Sequence, residues 1–469
     1  MTVSPDFRSQ ISALLPADEA AALLHAIEST PPSVSVRLNA AKCLSLPPAA
    51  ARVPWCSRGF YLDERVPFTF DPLLHAGAYY VQDASSMLLQ LIVQRLVTSP
   101  VRYLDLCAAP GGKTTAALDA LPVGSLMVTN EIMPDRARVL LENVVKWGSP
   151  ACVVTSDSSE RLGSLSGFFD VVAADVPCSG EGMFRKDEEA VAQWSPRLVE
   201  QCAERQREII DNIWPALRPG GLLIYSTCTY NRSENEAMVE YVISCHGAES
   251  VPLSLPGEWN ILPGIGTSAH CCRFMPHRTR GEGLFVAVLR KAGDAPHSPA
   301  VAKKAKPAKG KGASKPAVAV PAEARQWLAD SCFSLTADAA GTVAAIPTAH
   351  EAEVALLRST VRVLHAGVGI ATLKGRDAVP AHSLALSTAL SPEAFPRCEV
   401  DYATAIAYLR GESITLPTAP RGFVLITHRD LPIGFAKNLG TRANNLYPRE
   451  WRIKSTHLPA TPPAIIPRP

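Results

Sequence analysis

The chain has 469 residues, 47% of them hydrophobic and 19% charged, with a formal net charge of +2 at pH 7. This composition supports roughly two to four domains with buried cores and excludes a disordered chain, and the near-neutral balance means that affinity for nucleic acid must come from local patches. Twelve cysteines without Cys-x-x-Cys or Cys/His ligand spacing give no reason to expect a metal. With no run of about eighteen apolar residues and no secretory signal in Met1–Phe7, the expected compartment is the cytoplasm, away from membranes.

In chain order, Pro5 to Ile27 reads as one or two short helices, with Ile11, Leu14, Leu15, Leu23 and Leu24 at helical spacing. Ser35–Asn39 alternates as a strand, with Val36 and Leu38 on the buried side and Arg37 expected on a solvated face. After a proline-rich passage, the aromatic stretch Phe68 to Tyr80 leads to the polar step Gln82-Asp-Ala-Ser-Ser86 and the apolar helix Met87 to Val97.

From Tyr103 to about Arg290 strands and helices alternate. The expected strands are Tyr103–Leu106, Leu126–Asn130, Cys152–Thr155, Phe169–Ala174, Leu222–Ser226 and Leu284–Leu289. Helices fill the first four gaps, and Ser233 to Cys245 is a further one. This spacing implies a doubly wound, mainly parallel sheet, whose ligand lies beyond the carboxyl ends of the strands at the switch point. Residues just past those ends should converge: Asp105 and its loop, Glu131, Asp157, Asp175 to Cys178, and Ser226 to Cys228.

The segment Tyr103 to Lys113 organises this region. Its apolar strand stops at Gly111-Gly112, a turn into a helix that would offer free N–H groups and a positive dipole end to a nucleotide or a carboxylate. Gly112-Lys113-Thr114 matches the end of a phosphate-binding loop, but Cys107 stands where that loop needs its first glycine, so an NTPase is the second reading. Glu131 lies at the tip of the next strand, placed to accept hydrogen bonds from ribose hydroxyls. Asp157, in the capping-rich Ser156-Asp-Ser-Ser159, is either a helix cap or a contact to the cofactor's adenine or amine. Cys178 and Cys228, each an ordinary small buried residue if taken singly, fall immediately beyond strand ends in the same crevice.

Past Arg290 the composition turns to Ala, Pro and Lys. Ala302 to Lys315 carries six lysines and no acid, which reads as a linker that is either a plain spacer or a tether for RNA phosphates. Globular patterning resumes at Ala322. A small β-rich unit follows from Tyr402, with strands at Gly422–Thr427 and Leu431–Lys437. Its basic residues Lys437, Arg442, Arg449, Arg452 and Lys454, interleaved with Tyr447 and Trp451, suggest an RNA face.

Asp105-Leu-Cys-Ala-Ala-Pro-Gly-Gly-Lys113, Asp175-Val-Pro-Cys-Ser-Gly-Glu-Gly-Met-Phe-Arg185 and Tyr225-Ser-Thr-Cys-Thr229 resemble the motifs of the Sun-type RNA (cytosine-5) methyltransferases. Gln82-Asp-Ala-Ser-Ser86, Arg273-Phe-Met-Pro-His277 and Gly281-Glu-Gly283 extend the match. Lys186-Asp187, Trp194-Ser-Pro196, Asn444 to Pro448 and Trp451-Arg452 resemble the branch of bacterial 16S ribosomal RNA methyltransferase F.

The resemblance implies an S-adenosyl-L-methionine-dependent α/β methyltransferase at 99–293, preceded by an N-terminal RNA-binding or accessory region at 1–98. A linker at 294–321, an accessory domain at 322–395 and a PUA-like RNA-binding domain at 396–469 would follow. It also implies that Cys107, Ala108, Ala109, Pro110, Gly111, Gly112, Lys113, Glu131, Asp157 and Asp175 surround the cofactor. Cys228 would be the nucleophile at cytosine carbon 6, Cys178 the residue assisting release, and Asp175 the partner of the base edge; spacing alone does not choose between the two cysteines. Arg185, Lys186, Arg273, His277, Lys437, Arg449 and Trp451 are the expected RNA contacts. The expected partner is small-subunit ribosomal RNA or the assembling 30S subunit, met by a monomer. The central sheet would supply chemistry and the C-terminal unit substrate affinity. A cofactor-binding RNA assembly factor with an idle site is the alternative, and it would need neither cysteine.

Overall fold

The computed structural model describes residues 2–43, 50–294, 320–374, 377–455, 457–459, 461–463 and 465–466; the lysine-rich run Ala302 to Lys315 lies outside them. Two helices open the chain, Pro5–Leu14 and Ala17–Ser29. Ser4 caps the first by accepting from the Phe7 N–H, and Pro5 occupies the first turn, where a missing N–H costs nothing. Their apolar faces, Phe7, Ile11, Leu23 and Ile27, pack with Phe184, Trp194, Val199, Tyr230 and Met275 of the central region. Three strands follow, β1 (Val34–Leu38), β2 (Gly59–Leu62) and β3 (Tyr79–Val81), as an antiparallel sheet in the order β2-β1-β3.

The central sheet contains β4 (Arg102–Asp105), β5 (Leu126–Asn130), β6 (Cys152–Thr155), β7 (Phe169–Asp175), β8 (Leu217–Thr227), β9 (Glu249–Ser250), β10 (Cys271–Phe274), β11 (Leu284–Arg290) and, far along the chain, β14 (Val363–Ala366). Its order is β10-β11-β8-β7-β4-β5-β6-β14, with β9 on β11. The five strands β4 to β8 run parallel, and β11, β10 and β14 are antiparallel additions at the two edges. Strands β4 to β6 are buried along their whole length, as a sheet covered on both faces requires. Chain order reverses between β4 and β7, so the loops leaving these two strands flank one crevice at the switch point.

The remaining strands are β12 (Phe333–Ala337), β13 (Thr342–Pro347), β15 (Val368–Lys374), β16 (Asp377–Pro380), β17 (Arg397–Glu399), β18 (Gly422–His428), β19 (Leu431–Asn438) and β20 (Ala443–Asn445). They form two four-stranded sheets, β12-β13-β15-β16 and β17-β18-β19-β20. The second shares a core with Phe70 and Ala76 of the N-terminal region.

Two expectations change. Arg37 is fully buried: Nη1 donates to Asp119 Oδ2 at 2.6 Å, Nη2 to Thr115 Oγ1 at 2.6 Å and Nε to Gln82 Oε1 at 2.8 Å, while the guanidinium lies 4.6 Å over the Trp147 ring. The helix Gly112–Leu118 covers the face of β1 that simple alternation would leave in water. The region expected as an accessory domain at 322–395 also contributes to the central sheet. Its strand β14 pairs with β6, and Ile346, Val354, Leu357, Val361 and Ala366 join the central core.

Candidate active site

Strand β4 ends at Asp105, and its loop returns through Gly111, whose φ of +112° is open to glycine without strain, into the helix Gly112–Leu118. The loop is held on several sides. Ala108 N–H donates to Asn130 O at 2.9 Å, Arg136 Nη2 to Ala109 O at 2.9 Å and Asn143 Nδ2 to Pro110 O at 2.8 Å. Beneath it the buried Asp105 accepts from Thr114 Oγ1 at 2.6 Å, and burial pushes its carboxyl up to about 7. Burial also raises the Cys107 thiol, which stays protonated.

Glu131, at the tip of β5, is buried. Its Oε1 accepts from Met133 N–H at 2.9 Å, while Oε2 has no hydrogen-bond partner among the described residues and lies 3.5 Å from Arg136 Nη1. Gln82 is in the complementary state: Oε1 is held by Arg37, and the buried Nε2 has no acceptor among the described residues. A Cβ on Gly112 would sit 3.5 Å from that Nε2 and 3.2 Å from Tyr80 Cε1. A spare carboxylate acceptor, a spare amide donor and a glycine turn fit a nucleoside that carries ribose hydroxyls and a carboxylate.

Asp157 sits on the same rim with both oxygens engaged, Oδ1 by Ser158 N–H at 2.9 Å and Oδ2 by Arg362 N–H at 3.0 Å. The helix cap is Ser158, which accepts from Arg161 N–H. The carboxylate of Asp157 therefore ties the strand end to the chain entering β14.

Across the switch point, Asp175 closes β7. Its Oδ2 is 2.8 Å from Lys113 Nζ and its Oδ1 accepts from Ser226 Oγ at 2.7 Å. Burial pulls the Lys113 ammonium toward a lower pKa, but Asp175 outweighs this and the net shift is upward, so the lysine stays charged. Beyond the ends of β7 and β8, Cys178 Sγ and Cys228 Sγ lie 3.3 Å apart, both half-buried. The contact with Cys228, followed by burial, drives the Cys178 thiol well above its usual range.

Two buried carboxylates that sequence reasoning did not single out shape the cysteine loops. Glu181 accepts from Tyr230 N–H at 2.7 Å, Asn231 N–H at 3.1 Å, Trp194 Nε1 at 3.1 Å and Gln10 Nε2 at 2.8 Å. Glu234 accepts from Ser179 N–H at 2.9 Å, Gln206 Nε2 at 2.8 Å and Asn231 Nδ2 at 2.7 Å. They tie the loop after β7 to the loop after β8 and so fix the sulfur separation. Gly182 allows the close approach, since a Cβ there would lie 2.8 Å from both Cys228 O and Gly283 O. Polar Asn231-Arg232-Ser233-Glu234-Asn235-Glu236 reads in sequence as an ordinary surface turn, so nothing local marked these carboxylates as buried.

The expected RNA contacts divide. Arg273 is buried, with Nε donating to Glu236 Oε1 at 2.6 Å, Nη2 to Glu236 Oε2, and Nη1 to Tyr230 O at 2.6 Å, so it braces the helix Glu236–His246. Arg185 is held by Glu282 at 2.7 Å and Gly281 O at 2.8 Å. His277 Nε2 meets Glu19 at 2.7 Å, and exposed Lys186 lies 3.6 Å from Glu282 and 3.7 Å from Asp83. In the C-terminal unit Arg449, in the turn after the sheet, is exposed, and Lys437 Nζ lies 5.1 Å over the Phe423 ring. Trp451 instead packs inward, 5.2 Å from the His382 ring and 5.8 Å from Lys146 Nζ.

Comparison with known proteins gives three family matches. Residues 98–290 match "16S rRNA methyltransferase RsmB/F", residues 395–453 the "Methyltransferase RsmF PUA domain" and residues 3–84 the "N-terminal domain of 16S rRNA methyltransferase RsmF". A ribosomal RNA small subunit methyltransferase F from Citrobacter koseri is 33% identical over 414 residues, covering 85% of this chain and 84% of the relative. That of Klebsiella pneumoniae is 32% identical over 416 residues with the same coverage. Among solved structures, NSun6 from Pyrococcus horikoshii with SFG matches 62% of this chain and 99% of its own, at 20% identity and a TM-score of 0.53. A methyltransferase homologue from Pyrococcus horikoshii matches 62% of this chain and 100% of its own, at 24% identity and a TM-score of 0.51.

Proposed function

The chain belongs to the RsmB/F family of 16S rRNA methyltransferases, and from that premise we propose that it methylates carbon 5 of a cytosine in small-subunit ribosomal RNA through a covalent adduct at carbon 6. The observation that carries the reading is the pair of thiols 3.3 Å apart beside the Lys113–Asp175 ion pair. Carbon 5 of cytosine is a weak nucleophile, and adding a thiolate at carbon 6 makes it an enamine-like one. S-adenosylmethionine, when bound, supplies an electrophilic methyl group.

Glu131 and the turn at Gly111-Gly112 would hold the cofactor's ribose and its neighbouring groups, with Gln82 as a further donor. Cys228 adds to carbon 6. Asp175, paired with Lys113, would hydrogen-bond the base near its N3 and 4-amino edge, where charge develops on attack. After methyl transfer the carbon 5 proton passes to water, the electrons of the Cys228–carbon 6 bond return to sulfur as a thiolate, and Cys178, held as a thiol, is placed to donate a hydrogen bond to that sulfur. Asp157 supports the rim through the backbone rather than through a cofactor contact.

This reading makes the protein a cytoplasmic, monomeric enzyme acting on ribosomal RNA or an assembling 30S subunit. Among the described residues no helix is long and apolar enough to cross a membrane. Bisulfite sequencing of ribosomal and transfer RNA from cells with and without the gene tests it: one protected cytosine in the small-subunit RNA should be lost in the deletion strain. An unchanged ribosomal pattern with loss at a transfer RNA position would move the substrate, and no change anywhere would remove the activity.

A further inference from the structure

A cleft of about 520 Å³ lies between the N-terminal region and the turn after β10, lined on one side by Pro31, Ser33 and Asp63 and on the other by His277, Arg278 and Arg280. We propose that it holds a nucleotide of the RNA strand flanking the target cytosine, an inference that rests on the RNA substrate argued above. Four features support this occupant.

The cleft is next to the catalytic thiol. Gly281 lines it; the following Glu282 N–H donates to Asp83 Oδ1 at 3.0 Å, and Gly283 is the backbone that a Cβ on Gly182 would strike together with Cys228 O. These links join the cleft to the backbone of the Cys228 loop, so a strand whose target base sits at Cys228 would bring a nearby nucleotide of the same strand to the cleft.

Its charge suits phosphate. Arg278 is tied to Glu19, whose carboxyl is held down to about 2 by Arg278 and His277, whereas Arg280 has no carboxylate partner among the described residues. Its guanidinium lies 4.2 Å over the Tyr61 ring, and Nη2 reaches Leu62 O at 3.5 Å. A guanidinium backed by an aromatic ring and open to solvent keeps both its charge for a phosphate and a flat face for a base.

Two polar atoms of the lining lack partners. The His277 side chain is 6% exposed, with Nε2 on Glu19 at 2.7 Å, and its Nδ1 has no partner among the described residues; the same holds for Ser33 Oγ. With Nε2 engaged by Glu19, Nδ1 is left for a ligand, and a ribose 2′-hydroxyl, able to donate or accept, is the group that RNA brings and DNA lacks.

The volume admits a nucleotide but not a duplex, which fits a strand already unpaired so that its base can enter a buried site.

Binding of a fluorescein-labelled, unstructured RNA carrying one cytosine is measured by anisotropy for the wild type, Arg280→Gln and Ser33→Ala, with single 2′-deoxy substitutions at the positions on either side of the cytosine. Calorimetric S-adenosylmethionine affinity is the folding control. Arg280→Gln should weaken RNA binding ~tenfold, the scale of one lost charge-assisted hydrogen bond, and leave cofactor affinity unchanged. One 2′-deoxy position should weaken wild-type binding, and Ser33→Ala should reduce that sensitivity. Equal RNA affinity of Arg280→Gln and the wild type, or indifference to every 2′-deoxy position, overturns the cleft as a nucleotide subsite. A wild type that binds the RNA but methylates no cytosine in ribosomal RNA overturns the proposed reaction instead, and the binding comparison still decides the cleft.

Discussion

Cys178 Sγ and Cys228 Sγ stand 3.3 Å apart beyond the ends of two adjacent parallel strands, and only one of the two can be the first to attack. If Cys228 adds to carbon 6, Cys228→Ala forms no covalent RNA–protein species and no product. Cys178→Ala still lets Cys228 add, so an adduct accumulates because release is slow. A denaturing gel of each variant with substrate RNA and S-adenosylmethionine reads this directly. A retarded band with Cys228→Ala and none with Cys178→Ala would exchange the two roles.

Arg37 is a buried cation whose partners are Asp119, Gln82 and Thr115. Burial lowers its pKa and Asp119 opposes that shift. Removing one member of a buried pair leaves an uncompensated charge, so Arg37→Met should cost about 3–5 kcal/mol. Asp119→Leu added to it should recover part of the loss. Denaturant midpoints of the single and double variants test this; a single variant as stable as the wild type would mean that Asp119 is neutralised some other way.

The contrast between Arg37 and Glu131 shows what the sequence could reveal. The place of Glu131 just past β5 was legible because strand ends beside a switch point follow from the alternation of strands and helices. The same rule found Asp175, Cys178 and Cys228. Arg37 was not legible, because alternation reports which residues share a face but not whether a helix from another region covers the second face. Strand β14 was missed for a related reason. Val363–Ala366 is short and partly buried, and its partner β6 lies about two hundred residues earlier, so no local pattern marks the pairing. The engagement of Asp157 has the same origin: its Oδ2 accepts from the Arg362 N–H, which arrives only with β14.

That pairing bears on the expected division between a central sheet that supplies chemistry and a C-terminal unit that supplies substrate affinity. Truncation before Ala322 strips the edge of the sheet at β6 and opens the core lined by Val354, Leu357 and Val361. It also frees Asp157 Oδ2, and Ser156 N–H loses its acceptor, Arg362 O at 2.9 Å. The truncated chain should unfold at lower temperature and bind S-adenosylmethionine at least ~tenfold more weakly, since lost rim order must be restored on binding. A truncated chain with wild-type cofactor affinity and melting temperature would show that the central sheet is complete without β14.

Asp105 makes stability depend on pH in a direction opposite to most carboxylates. Burial raises its pKa from 3.8 to about 7, so the native state holds a proton that the unfolded chain has released. Stability contributed by the neutral form is present below about pH 4 and is lost as pH rises through about 7, because the native state binds more protons across that window. The full span corresponds to about 4 kcal/mol. Asp105→Asn keeps the shape without the charge, so the difference in unfolding free energy between variant and wild type should grow in the variant's favour from about pH 5 to about pH 7.5. Comparing the two proteins at each pH cancels the other titrating groups. A constant difference across that range would mean that Asp105 is ionised throughout, with the hydrogen bond from Thr114 Oγ1 outweighing its burial.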